Sequence, residues 1–144
     1  MAGQTIRLGL TLFLITFLLH VVSSAQDALR CPVCGMDLKS STVSFETTQN
    51  GKSAYTCSFA CAHRYHRKHP EASLHIRDFT NGKRLDVNDA FFLVKSKNLL
   101  KEVEVLMPPA VIAFQTEGDA QKASKRLGDG TVVKGFDAAI RVYE

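Results

Sequence analysis

The chain has 144 residues, 45% of them hydrophobic and 22% charged, with no Trp and a formal net charge of +4. That composition is ordinary for a globular protein and excludes collagen-like, mucin-like and wholly disordered chains. The charge is too small to indicate a nucleic-acid surface, and the one basic cluster, His63-Arg64-Tyr65-His66-Arg67-Lys68-His69, reads as a solvated helix face.

The run Leu8–Val22 is apolar and carries no formal charge. Arg7 precedes it and Ser23-Ser24-Ala25 follows, which predicts a signal peptide over residues 1–25 and an exported domain over 26–144. The run is shorter than the ~20 residues a transmembrane helix needs. Left uncleaved, residues 8–22 would act as a membrane anchor. No small-residue lipobox precedes Cys31. The expected location is the periplasm or another exported compartment.

In chain order, Thr42–Thr47 alternates as a half-buried strand, Asn50-Gly51 signals a tight turn, and Ser53–Cys57 returns as the hairpin partner. Ser58 suits the N-cap of a helix over Phe59–Lys68 that Pro70 stops, and Leu74–Phe79 alternates again as a strand. In the second half, Ala90–Val94 and Val111–Gln115 read as strands. Gly118–Leu127 reads as a helix with Ala120, Ala123 and Leu127 on its buried stripe, and Thr131–Phe136 as a closing strand. The order strand–strand–helix–strand thus occurs twice. The expected fold is α+β, two small ββαβ-type units packed together, with halves at 26–82 and 83–144.

All four cysteines fall in the first half, as Cys31-x2-Cys34 and Cys57-x3-Cys61. Cys31-Pro32-Val33-Cys34-Gly35 has the form of a metal knuckle, in which two intervening residues bring both sulfurs to one point. Cys61 would lie in the first turn of the helix, where the helix dipole favours thiolate. Three readings compete: a disulfide framework, a closed four-thiolate zinc site, and an exchangeable soft-metal site. The short spacing within each pair favours a metal over disulfides. Met36, a thioether two residues past Cys34, speaks for Cu(I), although methionine is more often a core filler. Met107, before Pro108-Pro109, becomes interesting only if its loop turns toward the knuckle. His63, His66 and His69 sweep around the helix, and with His75 they carry no ligand signal. No phosphate loop, HExxH or GxSxG is present, so no enzyme is expected.

Cys31–Met36, followed by a hairpin and then Tyr55-x-Cys57-Ser58-x-x-Cys61, resembles the TRASH and YHS metal-binding motifs. Over nearly the whole exported region the chain resembles the NosL family of copper-binding accessory proteins for nitrous oxide reductase maturation. The match rests on Cys31–Met36, Ala90–Ser96, Met107–Phe114 and Phe136-Asp137-Ala138-Ala139-Ile140. It implies a fold of two ββαβ-type units and a Cu(I) site that includes Cys31, Cys34 and Met36, with Met107 a further candidate. It also implies a metal-receiving client, nitrous oxide reductase or another cuproenzyme. The chain departs from the family in lacking a lipobox, in placing Leu106 and Pro108-Pro109 where glycines usually flank the methionine, and in having Cys57 and Cys61.

The resulting expectation is an exported metallochaperone or accessory factor that binds copper as Cu(I) through Cys31, Cys34, Cys57 and Cys61. A structural zinc module for protein interaction is the alternative. An enzyme resembling organomercurial lyase ranks last, because no Asp or Glu stands at matching spacing.

Overall fold

The computed structural model describes residues 30–38, 44–103 and 108–144. The expected signal peptide and anchor, the start of the strand expected from Thr42, and Met107 lie outside them.

The first unit is a hairpin of β1 (Phe45–Gln49) and β2 (Lys52–Thr56), then α1 (Phe59–Lys68) and β3 (Ser73–Arg77), extended by β4 (Arg84–Asp86). Asn50 and Gly51 both have positive φ and form the two-residue hairpin loop between Gln49 and Lys52, the geometry that matches strand twist. The second unit has β5 (Phe91–Val94), a short 3-10 helix (Leu99–Lys101), β6 (Ile112–Phe114), α2 (Glu117–Leu127), β7 (Thr131–Lys134) and α3 (Phe136–Arg141).

The sheets are ordered β2-β1-β3-β4 and β6-β5-β7, and every pairing within them is antiparallel. In each, the first strand of the unit is central, flanked by the second strand and by the strand after the helix. The expected duplication is therefore present in space as well as in order. The strand-to-helix corners also match. At the start of α1, Ser58 Oγ accepts from the Cys61 N–H at 3.2 Å; at the start of α2, Thr116 Oγ accepts from the Asp119 N–H at 3.2 Å.

The units meet at two places. Buried Asp78, just past β3, accepts from the Gln115 N–H at 2.6 Å, and its neighbour Phe79 donates its N–H to the Ala113 carbonyl at 2.8 Å. Phe45, Phe59, Phe92 and Phe136 interlock in the shared core, with Phe136 ring centroids 5.8 Å from Phe45 and 6.4 Å from Phe92. Helix α1 packs on β1 and β2, α2 lies across all three strands of the second sheet, and α3 covers β5 and β7. Ala120, Ala123 and Leu127 form the buried stripe of α2, as their spacing predicts. Among the described residues no helix is long and apolar enough to cross a membrane.

Three strands end two residues away from where the sequence predicts. The first strand runs to Gln49 because the hairpin register carries pairing to the turn itself. The Leu74–Phe79 strand stops at Arg77, where Asp78 bends the chain by accepting the N–H groups of Thr80 and Asn81. The last strand stops at Lys134, because Gly135 turns the backbone at φ 83° and Phe136 opens α3 instead of closing the strand. Strand β4, the 3-10 helix and α3 carry too few residues for a readable period.

Candidate metal centre

The knuckle is closed by backbone hydrogen bonds. The Gly35 N–H donates to the Cys31 carbonyl at 2.8 Å, the Cys31 N–H donates to the Met36 carbonyl at 2.9 Å, and Arg30 bridges to Asp37 across the base. This wraps the chain so that Cys31 turns inward while Cys34 stays exposed. The second pair comes from the β2–α1 corner. Cys57 leaves the strand, Ser58 caps the helix, and Cys61 lies on the first turn, so both sulfurs face the knuckle from one corner.

All four sulfurs lie within 4.8 Å of one another. Cys34 Sγ is 3.4 Å from Cys57 Sγ, and Cys57 Sγ is 3.7 Å from Cys61 Sγ. Cys31, Cys57 and Cys61 are no more than 1% exposed and form a buried cluster that Val33 and Leu38 cover. No His, Asp or Glu belongs to the group among the described residues. This is a compact all-sulfur donor set, the chemistry that selects Cu(I) or Zn(II) over hard cations. Four sulfurs around one Zn(II) at ~2.3 Å would stand about 3.8 Å apart, so the set fits a single soft ion with small adjustments.

The thiols differ in acidity. Burial raises Cys31, but the backbone amides of Cys57, Cys34 and Val33 and the Cys34 thiol outweigh it and bring Cys31 down to about 7. Burial pushes Cys57 well above the usual thiol range, and its Cys34, Cys61 and Cys31 neighbours add to the rise. Cys61 is also raised, mainly by burial, although Ser58 and Cys57 pull the other way. The expectation of a thiolate at Cys61 is thus corrected. Burial outweighs the hydrogen bonds with Ser58 and Cys57 at Cys61, and the thiol that its surroundings lower is Cys31.

The remaining candidates are placed as follows. Met36 closes the knuckle through its carbonyl, and the residue is 38% exposed. Among the histidines, His66, His69 and His75 are placed by contacts within the fold. His66 stands edge-on to Phe136 with centroids 6.2 Å apart, His69 lies tilted against Tyr65 with centroids 4.4 Å apart, and half-buried His75 pairs in register between Glu46 and Asp86. The sequence reading missed the apolar cover of the thiols by Val33 and Leu38. Their signal is an apolar residue just inside and just outside the knuckle.

No protein-family model matches the sequence, and no curated protein matches it in sequence. A crystal structure of the copper chaperone NosL from Shewanella denitrificans superposes with a TM-score of 0.59 at 17% identity, covering 75% of this chain and 87% of that one. At that identity the likeness is one of fold. The chain is an α+β protein of NosL-like fold whose first unit carries a four-cysteine cluster.

Proposed function

We propose that the chain is a non-enzymatic metal carrier that holds Cu(I) as cargo on Cys31, Cys34, Cys57 and Cys61 and passes it to a receiving protein in an exported compartment. The observation that carries this reading is the asymmetry of the cluster: three of its cysteines are buried and the fourth, Cys34, is an exposed residue. A carrier needs one metal–sulfur bond that an incoming donor can reach and replace, and exposed Cys34 offers it. Transfer proceeds by ligand exchange, with a partner Cys, Met or His sulfur or nitrogen bonding to the ion as the Cys34 bond is lost. Exposed Met36, two residues from Cys34, is positioned in sequence to add a thioether during that exchange. The copper-chaperone neighbour of the same fold supports copper as the cargo. The receiving protein is in this reading a cuproenzyme under assembly, with nitrous oxide reductase one candidate.

A structural zinc centre is the second reading, favoured by the 3.4 and 3.7 Å sulfur separations, which lie close to the edges of a four-thiolate zinc tetrahedron. The two are separated by loading the reduced full chain anaerobically with Zn(II) and titrating Cu(I) buffered by a chelator. Stoichiometric displacement of zinc by Cu(I), weakened by Cys57→Ser, is expected. Zinc retained against excess Cu(I) would establish the structural reading.

A further inference from the structure

A groove of about 670 Å³ runs between the knuckle residues Pro32 and Val33 and the C-terminal half of α1. Arg64, Arg67 and Lys68, all exposed, supply three cations to it, and no acidic residue is among the described residues that line it. The rings of Tyr65 and His69, tilted against each other, contribute to its wall. Arg67 and Lys68 stand in the last turn of α1, where cations offset the negative helix end. Arg64 stands a turn earlier and has no such role, so the charge exceeds what the helix requires. Val33 lines the groove and also packs on the buried thiols, and the next residue is exposed Cys34. Whatever occupies the groove therefore lies beside the open edge of the sulfur cluster.

We propose that this groove docks an acidic, extended segment of the protein that exchanges metal with this chain, so that the segment's neighbouring ligands meet Cys34. Charge complementarity identifies the occupant as anionic. Concavity identifies it as a peptide: a bilayer surface is met by a flat or convex cationic face, whereas a cleft with an aromatic wall accepts a chain. The metal-exchange part of this proposal rests on the carrier function above, but the docking itself does not.

The test uses the reduced, metal-free full chain and fluorescence anisotropy of a short labelled peptide of alternating Glu and Ser, compared with its Gln-for-Glu counterpart. The acidic peptide is expected to bind roughly tenfold more tightly at low salt, with the advantage lost at high salt and in the Arg64→Ser/Arg67→Ser double variant. Equal affinities for the two peptides would overturn the proposal. So would a double variant that loses binding to phosphatidylglycerol vesicles while its peptide affinity is unchanged, since the groove would then face lipid. A chain that binds the acidic peptide but not Cu(I) sinks the carrier function alone, and a chain that holds Cu(I) but ignores peptide charge sinks the docking alone.

Discussion

Cys34 Sγ lies 3.4 Å from Cys57 Sγ, yet Cys34 is exposed and Cys57 is wholly buried. One ligand of the cluster thus stands at the surface in contact with one at its centre. In the metal-free, reduced chain an alkylating reagent should modify Cys34 first, and the other three only as the chain opens. A bound soft ion should protect all four. Mass spectrometry of timed iodoacetamide reactions checks the order; simultaneous labelling of Cys31 and Cys34 would contradict it.

Metal affinity should rise with pH. Cys57 and Cys61 are raised above the ordinary thiol value and are protonated at neutral pH, so each gives up a proton on ligating the ion. Cys31, lowered to about 7, adds a further proton as pH falls through that value, so affinity should drop more steeply below pH 7 than above it. Chelator competition across the pH range measures the slope. Serine in place of Cys31 should remove the steepening near 7 while leaving the dependence set by Cys57 and Cys61.

Phe136 holds the thiol-bearing corner from the other half of the molecule. Its ring is 5.1 Å from that of Phe59, the first residue of α1, which stands between Cys57 and Cys61 in sequence. Phe136→Ala removes a side chain that is 2% exposed and should cost about 3–5 kcal/mol in urea denaturation. It should also weaken metal binding without touching a ligand, because the first turn of α1 loses its stop. Unchanged metal affinity in a destabilised variant would show that the corner is held from within the first unit.

Removing the metal should leave the chain folded. The thiols form a small buried cluster apart from the main core, which draws on both sheets and all three helices. Chelation under reducing conditions should keep the circular dichroism spectrum and a cooperative thermal transition, with Tm lowered by the linkage of binding alone. Loss of the fold on chelation is the behaviour of a structural zinc domain and would count against a carrier.

Gly130, between α2 and β7, has φ +95°, and a Cβ there would fall 2.8 Å from Leu93 Cδ1 and 3.0 Å from Ser96 Cβ. Gly130→Ala therefore combines backbone strain with overpacking and should cost about 2–3 kcal/mol. Denaturant titration reads the loss, and metal affinity should not change, because Leu93, Ser96 and Val94, which the added Cβ would meet, are not among the residues packed on the thiol cluster.

Elements set by one local signal are legible in the sequence. Ser58 as N-cap, Phe59–Lys68 as the helix and the stripe of α2 all follow from chemistry within a few residues. The pairing of Cys31 and Cys34 with Cys57 and Cys61 was legible because knuckle and helix corner each fix two sulfurs by spacing alone. The rise at Cys61 is not legible in the sequence, because burial, its largest cause, arises only where residues distant in sequence come together. Helix α3 was missed because its six residues follow Gly135, whose turn becomes visible only in the backbone. The basic run on α1 is solvated, as its sequence predicts, with Arg64, Arg67 and Lys68 exposed; the groove it shares with Pro32 and Val33 is not legible because those residues are distant in sequence.

The matched corners of the two units carry a consequence for the thiols. Aligned on their caps, Cys57 corresponds to Gln115 and Cys61 to Asp119, and a hydroxyl takes the equivalent amide in both. The second unit completes this bend without sulfur, so the bend does not depend on sulfur in the first. Cys57 and Cys61 are tenants of a joint that stands without them, which leaves their geometry free to answer to a passing ion. The same joint in the second unit is a ready graft position: thiols at 115 and 119 would inherit the corner spacing of the first pair, and the redesign would be confined to side chains.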